Sequence, residues 1–103
     1  MTSENLQVTL PEPALEALCR EWQVRELAIF GSALRPDFSP QSDIDLLVSF
    51  EPSAPWSMLD MVAMKSKLEE AFGRPVDLVE REALRNPFRR AEILRTARVV
   101  YAA

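Results

Sequence analysis

The 103-residue chain has no histidine and a single cysteine, with only two glycines and one tyrosine. Without histidine there is no Ser–His–Asp triad, no histidine-bound zinc and no imidazole to serve as general base near neutral pH. The lone Cys19 cannot close an internal disulfide, which suits a reducing compartment such as the cytoplasm. No apolar run approaches the ~20 residues of a membrane-spanning helix. The N-terminus lacks the basic-then-apolar pattern of a secretory signal. A net charge of −4 argues against an extensive nucleic-acid footprint. What remains is a chain long enough for one domain with one modest core, and 48% of its residues are hydrophobic.

The chemistry-bearing residues are concentrated in Leu27–Phe50, LAIFGSALRPDFSPQSDIDLLVSF. Glu26–Phe30 is a short apolar run stopped by Gly31, and Asp43–Phe50 is a second, ended by Glu51-Pro52. Both are punctuated like strands and are too short for buried helices. In a strand, residues i and i+2 share a face. Asp43 and Asp45 therefore aim their carboxylates together, and a cation between them relieves the repulsion. Hard oxygen donors of this kind suit Mg²⁺, which completes its shell with water and substrate phosphates. Gly31 lets the backbone turn and a phosphate approach. A helical turn begun at Ser32 would offer free N–H groups to an anion, and Arg35 a guanidinium fork. Ser42 has two readings, orienting a carboxylate or ligand water, or serving the turn before the strand.

The other segments read as scaffold. Residues 1–9 are polar and expected to be flexible. Pro11–Trp22 predicts a helix with a stripe of Ala14, Leu15, Leu18 and Trp22, beside which Cys19 is a small filler. Ser57 and Asp60 predict the start of a second helix, with Trp56 and Met61 as its hydrophobic staple. Its buried stripe is Met61, Met64, Leu68 and Phe72, and Gly73 stops it. Val76–Glu80 predicts a third strand. Asn86-Pro87 starts a third helix reaching about Thr96, with Phe88, Ala91, Ile93 and Leu94 facing inward. Val99–Tyr101 is either an edge strand or a packed tail. Arg74, Arg81, Arg85, Arg89, Arg90, Arg95 and Arg98 crowd the last third, as a solvated helical face or as a basic face toward a nucleotide or acidic partner. No EF-hand loop and no G-K-[ST] phosphate loop is present.

Gly31-Ser32, ten residues, then Asp43-x-Asp45 resembles the signature of the DNA polymerase β-like nucleotidyltransferase superfamily. Over Val24–Tyr101 the chain is similar to its smallest members, the minimal nucleotidyltransferase (MNT) domains. Those proteins carry a third carboxylate on a later strand, and Asp77 in Pro75-Val-Asp-Leu-Val-Glu80 fits that position. The order of elements reads as a mixed sheet of three to four strands with helices packed mainly on one face, in a single domain over residues 10–103, and the resemblance implies the α/β (α+β) nucleotidyltransferase fold, which agrees. It also implies a two-Mg²⁺ site in which Asp43, Asp45 and Asp77 are the catalytic metal ligands, with Asp77 helping to deprotonate the acceptor hydroxyl. Gly31 and Ser32 would hold the β- and γ-phosphates of a nucleoside triphosphate, helped by Arg35.

A domain this small has no lobe to grip a large acceptor, so its substrate must come from elsewhere. The resemblance implies a partner HEPN-domain ribonuclease toxin, silenced by transfer of AMP from ATP to a tyrosine hydroxyl. Two other readings stand beside it. One is a non-catalytic antitoxin that masks the toxin; the other is transfer to a small molecule such as an aminoglycoside. Oligomeric state, with a second copy or with a partner, stays open at this point.

Overall fold

The computed structural model describes residues 10–34 and 42–103; the expected flexible N-terminus and the loop holding Arg35 lie outside the described residues. The element order is α1 (Glu12–Glu21), β1 (Val24–Phe30), a 3₁₀ turn (Gly31–Leu34), β2 (Ile44–Phe50), α2 (Met58–Phe72), β3 (Val76–Glu80), a 3₁₀ turn (Arg81–Ala83), α3 (Pro87–Thr96) and β4 (Arg98–Ala102). The C-terminal segment is thus an edge strand, and β2 begins one residue later than the sequence suggested.

The four strands form one mixed sheet in the order β3-β2-β1-β4. β1 runs antiparallel to β2 and β4, whereas β2 and β3 are parallel. The parallel pair is joined by α2, the crossover that such a pair requires. Alternation along β2 divides the core. Ile44, Leu46 and Val48 pack with Leu15, Cys19, Met64 and Leu68 of α1 and α2. Leu47 joins Ala28, Phe30 and Ile93 of α3 in a second, smaller cluster. Two helices therefore cover one face and α3 covers part of the other.

Local signals set the helix ends. The Ser57 N–H donates to Asp60 Oδ2 at 2.8 Å, closing the box at the start of α2. Gly73, at φ 73°, ends the helix in the left-handed conformation that glycine adopts without penalty. The Trp56 indole N–H donates to the Trp22 carbonyl at 2.6 Å, and the two rings lie 4.8 Å apart. This contact fastens the entry of α2 to the end of α1. At α3, Asn86 Oδ1 accepts from the N–H groups of Phe88 (2.9 Å) and Arg89 (3.1 Å).

Three side-chain expectations are corrected. Ala14 is exposed, and the buried stripe of α1 runs through Leu15, Leu18, Cys19 and Trp22, the true i, i+3, i+4, i+7 set. Phe88 and Ala91 are also exposed, because α3 turns Ile93, Leu94 and the adjoining Ala97 toward the sheet. Phe88 points away from that set, and Ala91 lies just to one side of it.

Asn86→Ala should lower stability by about 1 kcal/mol in urea unfolding, since two N–H groups lose their acceptor. Burial pushes the Cys19 thiol up from 9.0 to about 12. The folded chain keeps that proton where the unfolded chain releases it, so this contribution is whole below about pH 9 and is lost as pH rises toward 12. Cys19→Ala should remove that alkaline slope, and the native thiol should resist alkylation until the chain unfolds.

Candidate active site

The parallel register of β2 and β3 pairs Asp45 with Asp77, and the antiparallel register of β1 and β2 pairs Phe30 with Asp45. Strand neighbours sit about 4.8 Å apart, and residues in register share a face. Asp45 and Asp77 thus stand side by side at one end of the sheet, on the face that carries Leu47 and Val79 and is opposite α1 and α2. Asp45 is half-buried, and Asp43 and Asp77 are exposed. Asp43 lies at the mouth of β2, where the Ile44 N–H donates to the Pro75 carbonyl at 3.0 Å and closes β3 onto it.

Gly31 leaves β1 at φ 73° and passes against Asp45. A Cβ added at Gly31 would overlap the Asp45 carboxylate, lying 3.1 Å from Cγ. The glycine is required twice, for its backbone angle and for the room it leaves beside the carboxylate. The 3₁₀ turn that follows is held down by Leu34, which packs on the larger core cluster. Ser32 lies in this turn, so the expected helical turn after the glycine is present. Arg35 falls outside the described residues.

Arg74, which the sequence placed only among the clustered arginines, makes a contact at this edge. Arg74 Nη1 donates to the Ser42 carbonyl at 3.4 Å, tying the end of the Ser42–Asp43 segment to the start of β3. Its position, three residues before Asp77, was the available signal. Of the remaining arginines in the last third, three are engaged within the chain, while Arg85, Arg89 and Arg98 are exposed. Arg81 pairs with Glu26 at 3.4 Å, Arg90 donates to the Arg81 carbonyl at 3.1 Å, and Arg95 pairs with Glu92 at 2.7 Å.

The donor set is carboxylate only, which suits Mg²⁺. Among the described residues no group of three acidic or cysteine side chains is placed to hold a metal ion, so Asp43 is not drawn into one cluster with Asp45 and Asp77. Two adjacent carboxylates open to solvent fit an ion that takes its remaining ligands from water and phosphate.

A mixed sheet bringing a Gly-Ser turn and carboxylates from two parallel strands to one edge is the layout of a nucleotidyltransferase. The family model described as "Nucleotidyltransferase domain" matches residues 12–100. The chain belongs to that family and is a nucleotidyltransferase. It is 34% identical over 86 residues to the protein adenylyltransferase MntA of Thermococcus cleftensis, covering 84% of each chain. A solved structure assigned to the minimal nucleotidyltransferases superposes with a TM-score of 0.69 at 35% identity, over 85% of this chain and 86% of that one. The fold also matches, at 18% identity and a TM-score of 0.65, a structure of a tri-AMPylated HEPN toxin with its MNT antitoxin from Shewanella oneidensis, over 90% of this chain and 71% of that one.

Gly31→Ala should destabilise the fold by roughly 1–3 kcal/mol through backbone strain and displace the Asp45 carboxylate. Thermal unfolding and a nucleotidyl-transfer assay would show both losses. Gly73→Ala, with the same φ of 73° but open space around its Cβ, should lose stability alone.

Proposed function

We propose that the chain is a protein adenylyltransferase that transfers AMP from ATP to a tyrosine hydroxyl of a HEPN ribonuclease toxin and thereby acts as its antitoxin. The observation that carries this reading is the Asp45–Asp77 register beside Gly31. It sets two carboxylates next to a backbone turn that a phosphate can approach. The adenylyltransferase named among the relatives and the AMPylated toxin in the matched fold supply the reaction and acceptor class.

Asp43, Asp45 and Asp77 would hold magnesium, which supplies charge neutralisation on the triphosphate when bound. Gly31 and the Ser32 backbone receive the β- and γ-phosphates. Ser42, held through its carbonyl by Arg74, sets the position of Asp43. The acceptor oxygen attacks the α-phosphorus, and its proton passes to a carboxylate oxygen of Asp77. The bond from the α-phosphorus to the bridging oxygen breaks, and pyrophosphate leaves. In a chain without histidine a carboxylate is the natural base for that proton. No helix among the described residues is long and apolar enough to cross a membrane, and dependence on ATP fits a cytoplasmic setting.

Intact-mass spectrometry of the product of the gene adjacent to this one, the expected HEPN partner, tests the reading. Incubation with ATP and Mg²⁺ should add one or more AMP units, and chelation should abolish the gain. Asp43→Asn with Asp45→Asn should reduce transfer by at least about a hundredfold, the scale on which loss of preorganised charge stabilisation acts. A stable complex with no added mass would instead identify a masking antitoxin. AMP on a small hydroxylated compound alone would identify a small-molecule enzyme.

A further inference from the structure

The end of the sheet away from Gly31, Asp45 and Asp77 carries two features that the transfer reaction does not use. The first is a groove of about 640 Å³ between the start of β1, the end of β2, the first turn of α2 and the end of β3. Phe50, Trp56, Met58 and Met61 give it an apolar lining. Glu51, Glu80 and Glu82 stand around them against Arg25 alone, so the groove is acidic among its described residues. Glu82 is already engaged by the Ser49 hydroxyl at 2.7 Å, which leaves Glu51 and Glu80 as the carboxylates for a visitor. Met58 is 82% exposed at the lip.

The second feature is Phe88, 85% exposed in the first turn of α3. Arg85 and Arg89 flank it, and both are exposed. It lies at the same end of the molecule. β3 finishes level with Val48, at Glu80, and the chain then passes through the Arg81–Ala83 turn into α3. The other end of α3 leads to Arg98, which pairs with Ile29 at the catalytic end of β1. One end of one chain therefore presents both an acidic groove with an apolar lining and an exposed aromatic side chain with exposed arginines on either side of it in the sequence. An exposed aromatic with cationic neighbours and an apolar groove rimmed by carboxylates are complementary in shape and charge. Self-complementary patches on one chain are what a closed twofold pair requires.

We infer that two copies of this chain pair about a twofold axis through the end of the sheet remote from the catalytic edge. Phe88 of each copy enters the groove of the other, and Arg85 and Arg89 meet Glu51 and Glu80. Both catalytic edges then point outward, open to nucleotide and acceptor. The inference does not depend on what the acceptor is.

Sedimentation equilibrium of the full chain alone is the test. The wild type should be a dimer. Phe88→Ser, Arg89→Glu and Glu51→Arg should each weaken the pairing by roughly tenfold or more, as loss of a central anchor does, with circular dichroism unchanged. The informative step is to mix Arg89→Glu with Glu51→Arg. In a twofold pair, one contact of the mixed dimer has both charges swapped and the other keeps both native charges, so the mixture should dimerise again. A monomeric wild type would overturn the inference and leave the groove to another protein. So would a dimer indifferent to Phe88→Ser and Arg89→Glu, which would place the contact elsewhere, such as the exposed Leu59–Val62 face of α2. A mixture that stays monomeric would also overturn it.

Discussion

The close passage of the Gly31 backbone against the Asp45 carboxylate is the constraint on which the candidate site depends. It exists because β1 and β2 are antiparallel neighbours whose register places Phe30 opposite Asp45. The next residue of β1 must then leave the sheet beside that carboxylate. A side chain there would push the acid away, and an ordinary φ would carry the chain in another direction. The same strand, β2, is paired on its other side with β3, and that register delivers Asp77 beside Asp45. Shifting either register by one residue would send one partner to the opposite face.

The division of β2 between two faces explains how a small chain keeps charges at the edge of its core. One face is closed by α1 and α2 with the larger hydrophobic cluster, and nothing charged belongs to that cluster. The other face is only partly covered. α3 packs Ile93 over Ala28, Phe30 and Leu47, beyond which the acidic end stays open to solvent. Carboxylates placed there stay at the solvent-facing end of the sheet, so folding bears little of their desolvation cost. Stability is drawn from the first face and chemistry from the uncovered end of the second.

Helix boundaries were legible wherever a side chain acts on its own backbone. Ser57, Asp60 and Asn86 cap as their chemistry requires, and Gly73 adopts the stop conformation. Facing was legible in α2, where Met64 and Leu68 form an unambiguous stripe. It failed in α3, where apolar side chains occur at Phe88, Ala91, Ile93 and Leu94 and no single helical face contains them all. The sheet face took Ile93 and Leu94, with Ala97 one turn on packed beside them. Ala14 was misjudged for a similar reason: it is one step off a stripe that Cys19 completes.

By itself the sequence determined the order of elements, the strand character of the segments bearing Gly31, Asp45 and Asp77, and the absence of any imidazole chemistry. These are local properties, written in periodicity, capping residues and residue type. Only the tertiary structure decided that β3 lies parallel to β2 in the register that matches Asp77 to Asp45, that Arg74 reaches the Ser42 carbonyl, and that Phe88 faces outward. Each of these is a relation between segments distant in the chain. It is set by the hydrogen-bond register of the sheet and by competition among helices for its two faces, and no local pattern encodes either.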